Sequence, residues 1–185
     1  RMLAREHPTT TSFMRLRERE ARYDDRRFTI RQQWVPYRRI SQHLKRAVVV
    51  TEDAAFFDHD GIDLDEIKAS LERNWEEGRF VRGASTITQQ LAKNLYLSPS
   101  RNPGRKLREL FIPRRLEASL GKRRILEIYL NVIEWGDGIF GCEAAARAGV
   151  RHVAIVDGRD ANALEHALER RGLDGIPAGS TRVTS

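Results

Sequence analysis

Cysteine is nearly absent. The single Cys142 excludes a disulfide framework within the chain and any multi-cysteine zinc or iron–sulfur site, and it reads as a small core residue. Long apolar runs are missing as well: the longest, such as Ala47 to Val50 and Val153 to Val156, fall far short of the roughly 18 to 20 residues a spanning helix needs. No positively charged start leads into an apolar core, so any signal or transmembrane anchor is expected outside these residues. Neither a fixed-period repeat nor a low-complexity block is visible, which argues against solenoids and strings of modules. Lysine is scarce, confined to Lys45, Lys68, Lys93, Lys106 and Lys122, so arginine supplies most of the 33 basic residues. Against 26 acidic residues they leave a net charge of +7, a bias toward anionic partners with phosphate as the common denominator. With 185 residues, 40% of them hydrophobic and 8% aromatic, the chain can bury the core of one domain.

β-branched and polar residues alternate only over the short run Arg151 to Asp157, so the fold is expected to be mainly α. Residues 1–31 carry mixed charge, with arginines at 15, 17, 19, 22, 26, 27 and 31, and read as a solvated helix or arm. Trp34-Val35-Pro36-Tyr37 leads through the apolar segment Leu44 to Val50 into the polar and aromatic string Thr51 to Gly61. Asp63 followed by Glu66 has the form of a capping box, after which Leu64, Ile67, Leu71 and Trp75 recur at helical spacing until Gly78. A glycine-flanked loop, Arg79 to Gly83, precedes Ser85-Thr86-Ile87-Thr88-Gln89-Gln90, where Ile87, Leu91 and Leu95 share a helical face. Residues 101–124 hold nine basic residues and only two acidic ones, Glu109 and Glu117. Ile125, Ile128, Tyr129 and Val132 make a third helical stripe that ends near Gly136 and Gly138.

Glu52 and Asp53 follow directly on an apolar run, where a carboxylate at the edge of the core can act as a general base. A plain ion pair with one of the many basic residues explains Glu52 equally simply. Ser85, Thr86, Thr88, Gln89 and Gln90, beside Lys93, could hold sugar hydroxyls and phosphate; N-capping by Ser85 would account for one of them but not for two adjacent glutamines. His59 has no second histidine at ligand spacing and reads as a hydrogen-bonded structural residue rather than a metal ligand. The basic group of 101–124 could face nucleic acid, yet it comes with no helix-turn-helix pattern and little aromatic interleaving. A pyrophosphate leaving group would use the same charges, since hydrogen bonds to ionised groups are worth about 1.5–3 kcal/mol each.

In order, Glu52-Asp-Ala-Ala-Phe-Phe-Asp-His-Asp-Gly61, Gly83-Ala-Ser-Thr-Ile-Thr-Gln-Gln90, Arg105-Lys-Leu-Arg-Glu109 and Lys122-Arg-Arg-Ile-Leu-Glu-Ile-Tyr-Leu-Asn131 resemble the successive signatures of the peptidoglycan glycosyltransferases, glycosyltransferase family 51. The resemblance runs from about His7, with Pro8 to Met14 similar to the family's opening segment, through Glu134 to Ala146. The length leaves no room for a transpeptidase domain, which points to the monofunctional branch. The resemblance implies a lysozyme-like, two-lobed, mainly α fold whose cleft polymerises lipid II into a β-1,4 glycan strand, with inversion and release of undecaprenyl pyrophosphate. It makes Glu52 the base that deprotonates the acceptor 4-hydroxyl and Glu109 the second catalytic carboxylate. It assigns Asp53, Ser85, Gln89, Gln90, Lys93, Arg101, Arg105, Lys106, Lys122 and Asn131 to substrate binding.

The same resemblance implies lipid II and the growing glycan strand as partners, at the outer or periplasmic face of a bacterial inner membrane. It leaves room for cell-division or elongation proteins, and for a divalent cation, Mg²⁺ or Mn²⁺, at the pyrophosphate; it includes no organic cofactor and no nucleic acid. A catalytically impaired scaffold of cell-wall synthesis and a lysozyme-like glycan hydrolase are the alternatives. Two departures stand out. Pro113, four residues after Glu109, is expected to kink its helix and displace the second carboxylate. Residues 148–185 depart from the family pattern and read as a divergent or disordered tail after a glycosyltransferase domain at 1–147.

Overall fold

Helices dominate the computed structural model, whose described residues are 2–78, 85–96 and 104–149, with residue 2 and residues 104–110 described in backbone only. The elements run α1 (Ser12–Tyr23), β1 (Arg31–Gln32), α2 (Gln42–Glu52), α3 (Leu64–Glu76), α4 (Ile87–Tyr96), α5 (Gly104–Ser119), α6 (Lys122–Val132), β2 (Glu134–Gly136), β3 (Ile139–Phe140) and α7 (Cys142–Arg147). The expected mainly α architecture is the one observed. The tail expected at 148–185 lies almost wholly outside the described residues, as does the strand candidate Arg151 to Asp157.

The centre of the core is α4, which packs against α1, α5 and α6. Its stripe Ile87, Leu91 and Leu95 is buried as the spacing predicts, and Thr88 and Ala92 widen it. The α6 stripe is buried too, and Leu126, Leu130 and Asn131 join it, so that this helix is enclosed on nearly every side. Each fully buried Ile or Leu of these helices contributes about 1.5–3 kcal/mol relative to exposure.

The N-terminal stretch, read as a solvated helix or arm, forms a helix that is partly buried. Thr11 caps α1 by accepting from Met14 N at 3.1 Å, Met14 and Ala21 are buried, and Ser12 Oγ donates to the Leu95 carbonyl at 2.9 Å. Its charges are used locally: Arg17 bridges Glu20, Glu134 and Asp137, and Arg26 reaches the other oxygen of Asp137. These pairs tie α1 to a small sheet that the sequence did not reveal. In it β3 lies between β1, which it pairs in parallel, and β2, which it pairs antiparallel with a bulge at Glu134/Gly136. Strands of two and three residues are too short to show alternation.

Pro113 sits inside α5 without ending it, and the side chain of Glu109, expected to be displaced, lies outside the described residues. The helix backbone comes close to Gly61: a Cβ there would lie 2.9 Å from Glu117 Cγ and 3.2 Å from the Pro113 carbonyl oxygen, and φ is +85°. Only glycine fits that turn. Helix α3 forms where the capping box and spacing place it. Asp63 caps it, accepting from Glu66 N at 2.8 Å, but the apolar stripe faces outward: Leu64 and Leu71 are each 65% exposed and Trp75 is 88% exposed.

Candidate active site

Glu52 is the last residue of α2. Asp53 leaves the helix in an extended conformation, and the chain turns twice, with Phe56 N donating to the Asp53 carbonyl and Asp58 N to the Ala55 carbonyl. Phe56, fully buried, anchors the turn. This geometry sends the two neighbouring carboxylates in different directions.

Asp53 points inward. Its carboxylate accepts from His59 Nε2 at 2.9 and 3.1 Å and from Ile87 N, the first residue of α4, at 2.9 Å. It therefore caps a helix 34 residues away in sequence, close to the partial positive charge of that helix end. His59 Nδ1 accepts from Gly61 N at 3.1 Å, which puts the ring proton on Nε2, facing Asp53. The reading of His59 as a structural histidine agrees with these bonds.

Glu52, half-buried, turns the other way. Its Oε2 accepts from Gln90 Nε2 at 3.0 Å, and no cation pairs with it among the described residues. Gln90 Oε1 accepts in turn from the Tyr129 hydroxyl at 2.8 Å. Tyr129 is buried, and its phenol is pushed well above the ordinary tyrosine range, first by that burial and then by the charges of Glu52 and Asp53. It stays protonated and serves as a donor.

The start of α4 is capped one residue later than the sequence suggests. Thr86 Oγ1 accepts from Gln89 N at 3.1 Å while Gln89 Oε1 accepts from Thr86 N at 3.0 Å, a reciprocal capping box, and Thr86 Oγ1 also donates to the Gly61 carbonyl at 2.7 Å. The signal was present as Thr86-x-x-Gln89. Ser85 Oγ is buried with no partner among the described residues, and Lys93 is exposed one turn beyond Gln89 and Gln90, on the same side of α4.

Lys122 and Asn131, like Asp53, are expected at the substrate but are engaged within the protein. Lys122 Nζ donates to the His59 carbonyl and pairs with Glu117 Oε1 at 2.7 Å, with the Phe56 ring 4.7 Å away. Thr88 Oγ1 donates to the same Glu117 oxygen at 2.6 Å. Asn131 is fully buried: Oδ1 accepts from Val35 N at 2.7 Å, and Nδ2 donates to the carbonyls of Val35 and Glu127 at 2.9 and 2.8 Å. Its amide is saturated by backbone and fastens the Val35 segment to α6. The sequence marks Glu117 only as one of two acids in a basic stretch, because its partners Thr88 and Lys122 lie on other helices. Arg101 lies outside the described residues, and Arg105, Lys106 and Glu109 are placed on the α5 backbone, their side chains outside the description.

A cleft of about 840 Å³ opens between residues 3–10 and α5, edged by Leu3, His7, Ile112 and Arg115; Glu52 does not line it. Asp53, His59 and Asp63 bring one ligand-type atom each within 4.8 Å of one another. Both His59 nitrogens, the Asp53 oxygens and one Asp63 oxygen already hold protein hydrogen bonds, so the cluster does not fit a metal.

Comparison with known proteins agrees with the ordered motifs. The family model described as Transglycosylase matches residues 21–154. Proteins named biosynthetic peptidoglycan transglycosylase are similar to the chain: that of Aromatoleum aromaticum is 55% identical over 148 residues, covering 80% of this chain and 64% of the relative. That of Methylobacillus flagellatus is 54% identical over 141 residues (76% and 62%), and that of an Azoarcus species 58% identical over 144 residues (76% and 61%). The chain thus spans somewhat over three fifths of the length of these relatives. Its residues, its helical fold and the family match lead to one conclusion: the chain belongs to the transglycosylase family.

Proposed function

We propose that this domain polymerises lipid II into β-1,4 glycan strands, with Glu52 as general base. The observation that carries the reading is the state of Glu52: it ends a helix at the edge of the core, is held by a neutral amide, and has no cationic partner among the described residues. A simple ion pair would have tied up the carboxylate; a single amide donor leaves it a lone-pair face for a substrate hydroxyl. In the proposed reaction Glu52 takes the proton of the acceptor 4-hydroxyl as its oxygen attacks the donor anomeric carbon. The bond to the undecaprenyl pyrophosphate breaks on the opposite face, which inverts the centre. Lys93, with Arg101, Arg105 and Lys106, is assigned to the charge that develops on the leaving pyrophosphate. Glu109 is the proposed second carboxylate, and a divalent cation, where one takes part, is placed with the pyrophosphate rather than with Asp53 and His59. Ser85 and the Nε2 end of Gln89, which has no partner among the described residues, are assigned to the donor sugar.

The outward stripe of α3 supports a membrane-surface location. Leu64, Leu71 and Trp75 fall at i, i+7 and i+11, one apolar side of a helix with Lys68 and Arg73 elsewhere on it, and Phe57 is exposed on the preceding loop. No described helix is long and apolar enough to cross a membrane. The site is therefore proposed to work at the outer face of a bacterial inner membrane, where a lipid-linked substrate is presented. Incubation of the chain with labelled lipid II, Mg²⁺ and detergent, followed by separation of polymer from monomer, tests this. Growing strands support the transferase, shortened preformed strands would mean a hydrolase, and bound but unreacted lipid II would mean a scaffold.

A further inference from the structure

Tyr129 sits in the second turn of α6, 3% exposed, and its ring belongs to the apolar stripe. Its hydroxyl is the part that packing does not explain. It donates to Gln90 Oε1 at 2.8 Å, and Gln90 Nε2 donates to Glu52 Oε2 at 3.0 Å, so one chain of bonds crosses from α6 through α4 to the end of α2. A primary amide accepts on one side and donates on the other, and its two orientations differ only by a half-turn about the terminal bond. With a phenol that donates on one side and a carboxylate that can only accept on the other, one orientation satisfies both neighbours. The flipped amide would set its oxygen against the carboxylate.

We infer that Tyr129 is a positioning residue, whose hydroxyl fixes the Gln90 amide so that Nε2 clamps Glu52 Oε2 and leaves Oε1 as the atom that receives the proton. Oε1 has no partner among the described residues, in keeping with that division of the carboxylate. The amide has a second, longer contact to the Ser85 carbonyl at 3.4 Å, which lies on the same side as Glu52 and reinforces the same orientation. The clamp works through buried, well-packed helices, the condition under which a small misplacement of a catalytic group is expensive in rate. The inference rests on the reading of Glu52 as the base.

Tyr129→Phe keeps the ring and removes only the oxygen. It is expected to lower kcat about tenfold to a hundredfold with KM for lipid II unchanged, because substrate contacts stay while the base loses its fixed orientation. Gln90→Ala is expected to lower kcat at least as far, and the double variant no further, since the hydroxyl acts only through the amide. Rates are taken per folded molecule at a temperature well below the melting point of each variant. An unchanged kcat in Tyr129→Phe, or losses that multiply in the double variant, would overturn the inference. A second readout does not need catalysis: the side-chain NH₂ signals of Gln90 in ¹⁵N-labelled protein, identified by their loss in Gln90→Ala, are expected to shift in Tyr129→Phe and in Glu52→Gln. Signals that stay in place in Tyr129→Phe would overturn the positioning role whatever the rates. If the unmutated chain makes no polymer, the polymerase reading fails, and these signals still decide whether Tyr129 orients Gln90.

Discussion

Replacing Lys122 with methionine separates two accounts of this residue. In the structure its amine is 2.7 Å from Glu117 Oε1, the two side chains are 20% and 8% exposed, and Thr88 donates to the same oxygen at 2.6 Å. Methionine matches the length of the stem and keeps contact with the Phe56 ring, but it leaves the Glu117 carboxylate buried with one hydroxyl for company. Breaking a buried pair from one side costs about 3–5 kcal/mol, most of it the desolvation of the abandoned charge. At about 2–4 °C per kcal/mol for a chain of this size, Lys122→Met should lower Tm by roughly 10 °C. Adding Glu117→Gln removes the stranded charge while keeping an acceptor for Thr88, so the double variant should recover at least half of the loss. Thermal unfolding followed by circular dichroism reads both numbers. A Lys122→Met variant that melts within about 2 °C of the parent, or two losses that simply add, would refute the reasoning and return the amine to the substrate.

Asn131→Leu keeps the volume but orphans the N–H and carbonyl of Val35, at about 1–3 kcal/mol each, so a fall in Tm on the order of 10 °C is expected and a fall under about 2 °C would contradict it. Burial pushes the Cys142 thiol up to about 11, above its ordinary 9.0. The folded thiol therefore keeps its proton where an unfolded one has lost it, so stability contributed by Cys142 is present below about pH 9 and lost as pH rises toward 11. Iodoacetamide at about pH 8.5 should label it only after denaturation. Leu71→Ser with Trp75→Ser should weaken binding to anionic phospholipid vesicles about tenfold or more in a flotation assay without lowering Tm, because both side chains already face solvent; equal binding would remove α3 from the membrane account.

What could be read in the sequence was what local periodicity encodes. Ile87, Leu91 and Leu95 in α4 and the α6 stripe are buried as their spacing requires, Asp63 caps α3, and Glu52 stands at the end of an apolar run. Periodicity says that a stripe is apolar but not what covers it, so the spacing in α3 could not show that Leu64, Leu71 and Trp75 face outward. Short strands carry no period at all, which hid the sheet of Arg31–Gln32, Glu134–Gly136 and Ile139–Phe140. Long-range pairing was equally hidden. The partners of Lys122 include His59, 63 residues away, and those of Asn131 include Val35, 96 residues away, so nothing in the sequence set these internal bonds against the substrate-binding role that the resemblance implies for both. The tie between Tyr129 and Glu52 runs through Gln90, in a third helix, and only the fold brings them together.

Glu52→Gln tests the central claim most directly. It alters one oxygen to nitrogen at a half-buried position, so Tm should stay within a few degrees of the parent. General base catalysis contributes about 10² to 10⁴ in rate, and loss of the base should remove detectable polymer from labelled lipid II while the substrate still binds. Polymer at the parent rate from a folded Glu52→Gln chain would contradict the account, whatever the family resemblance.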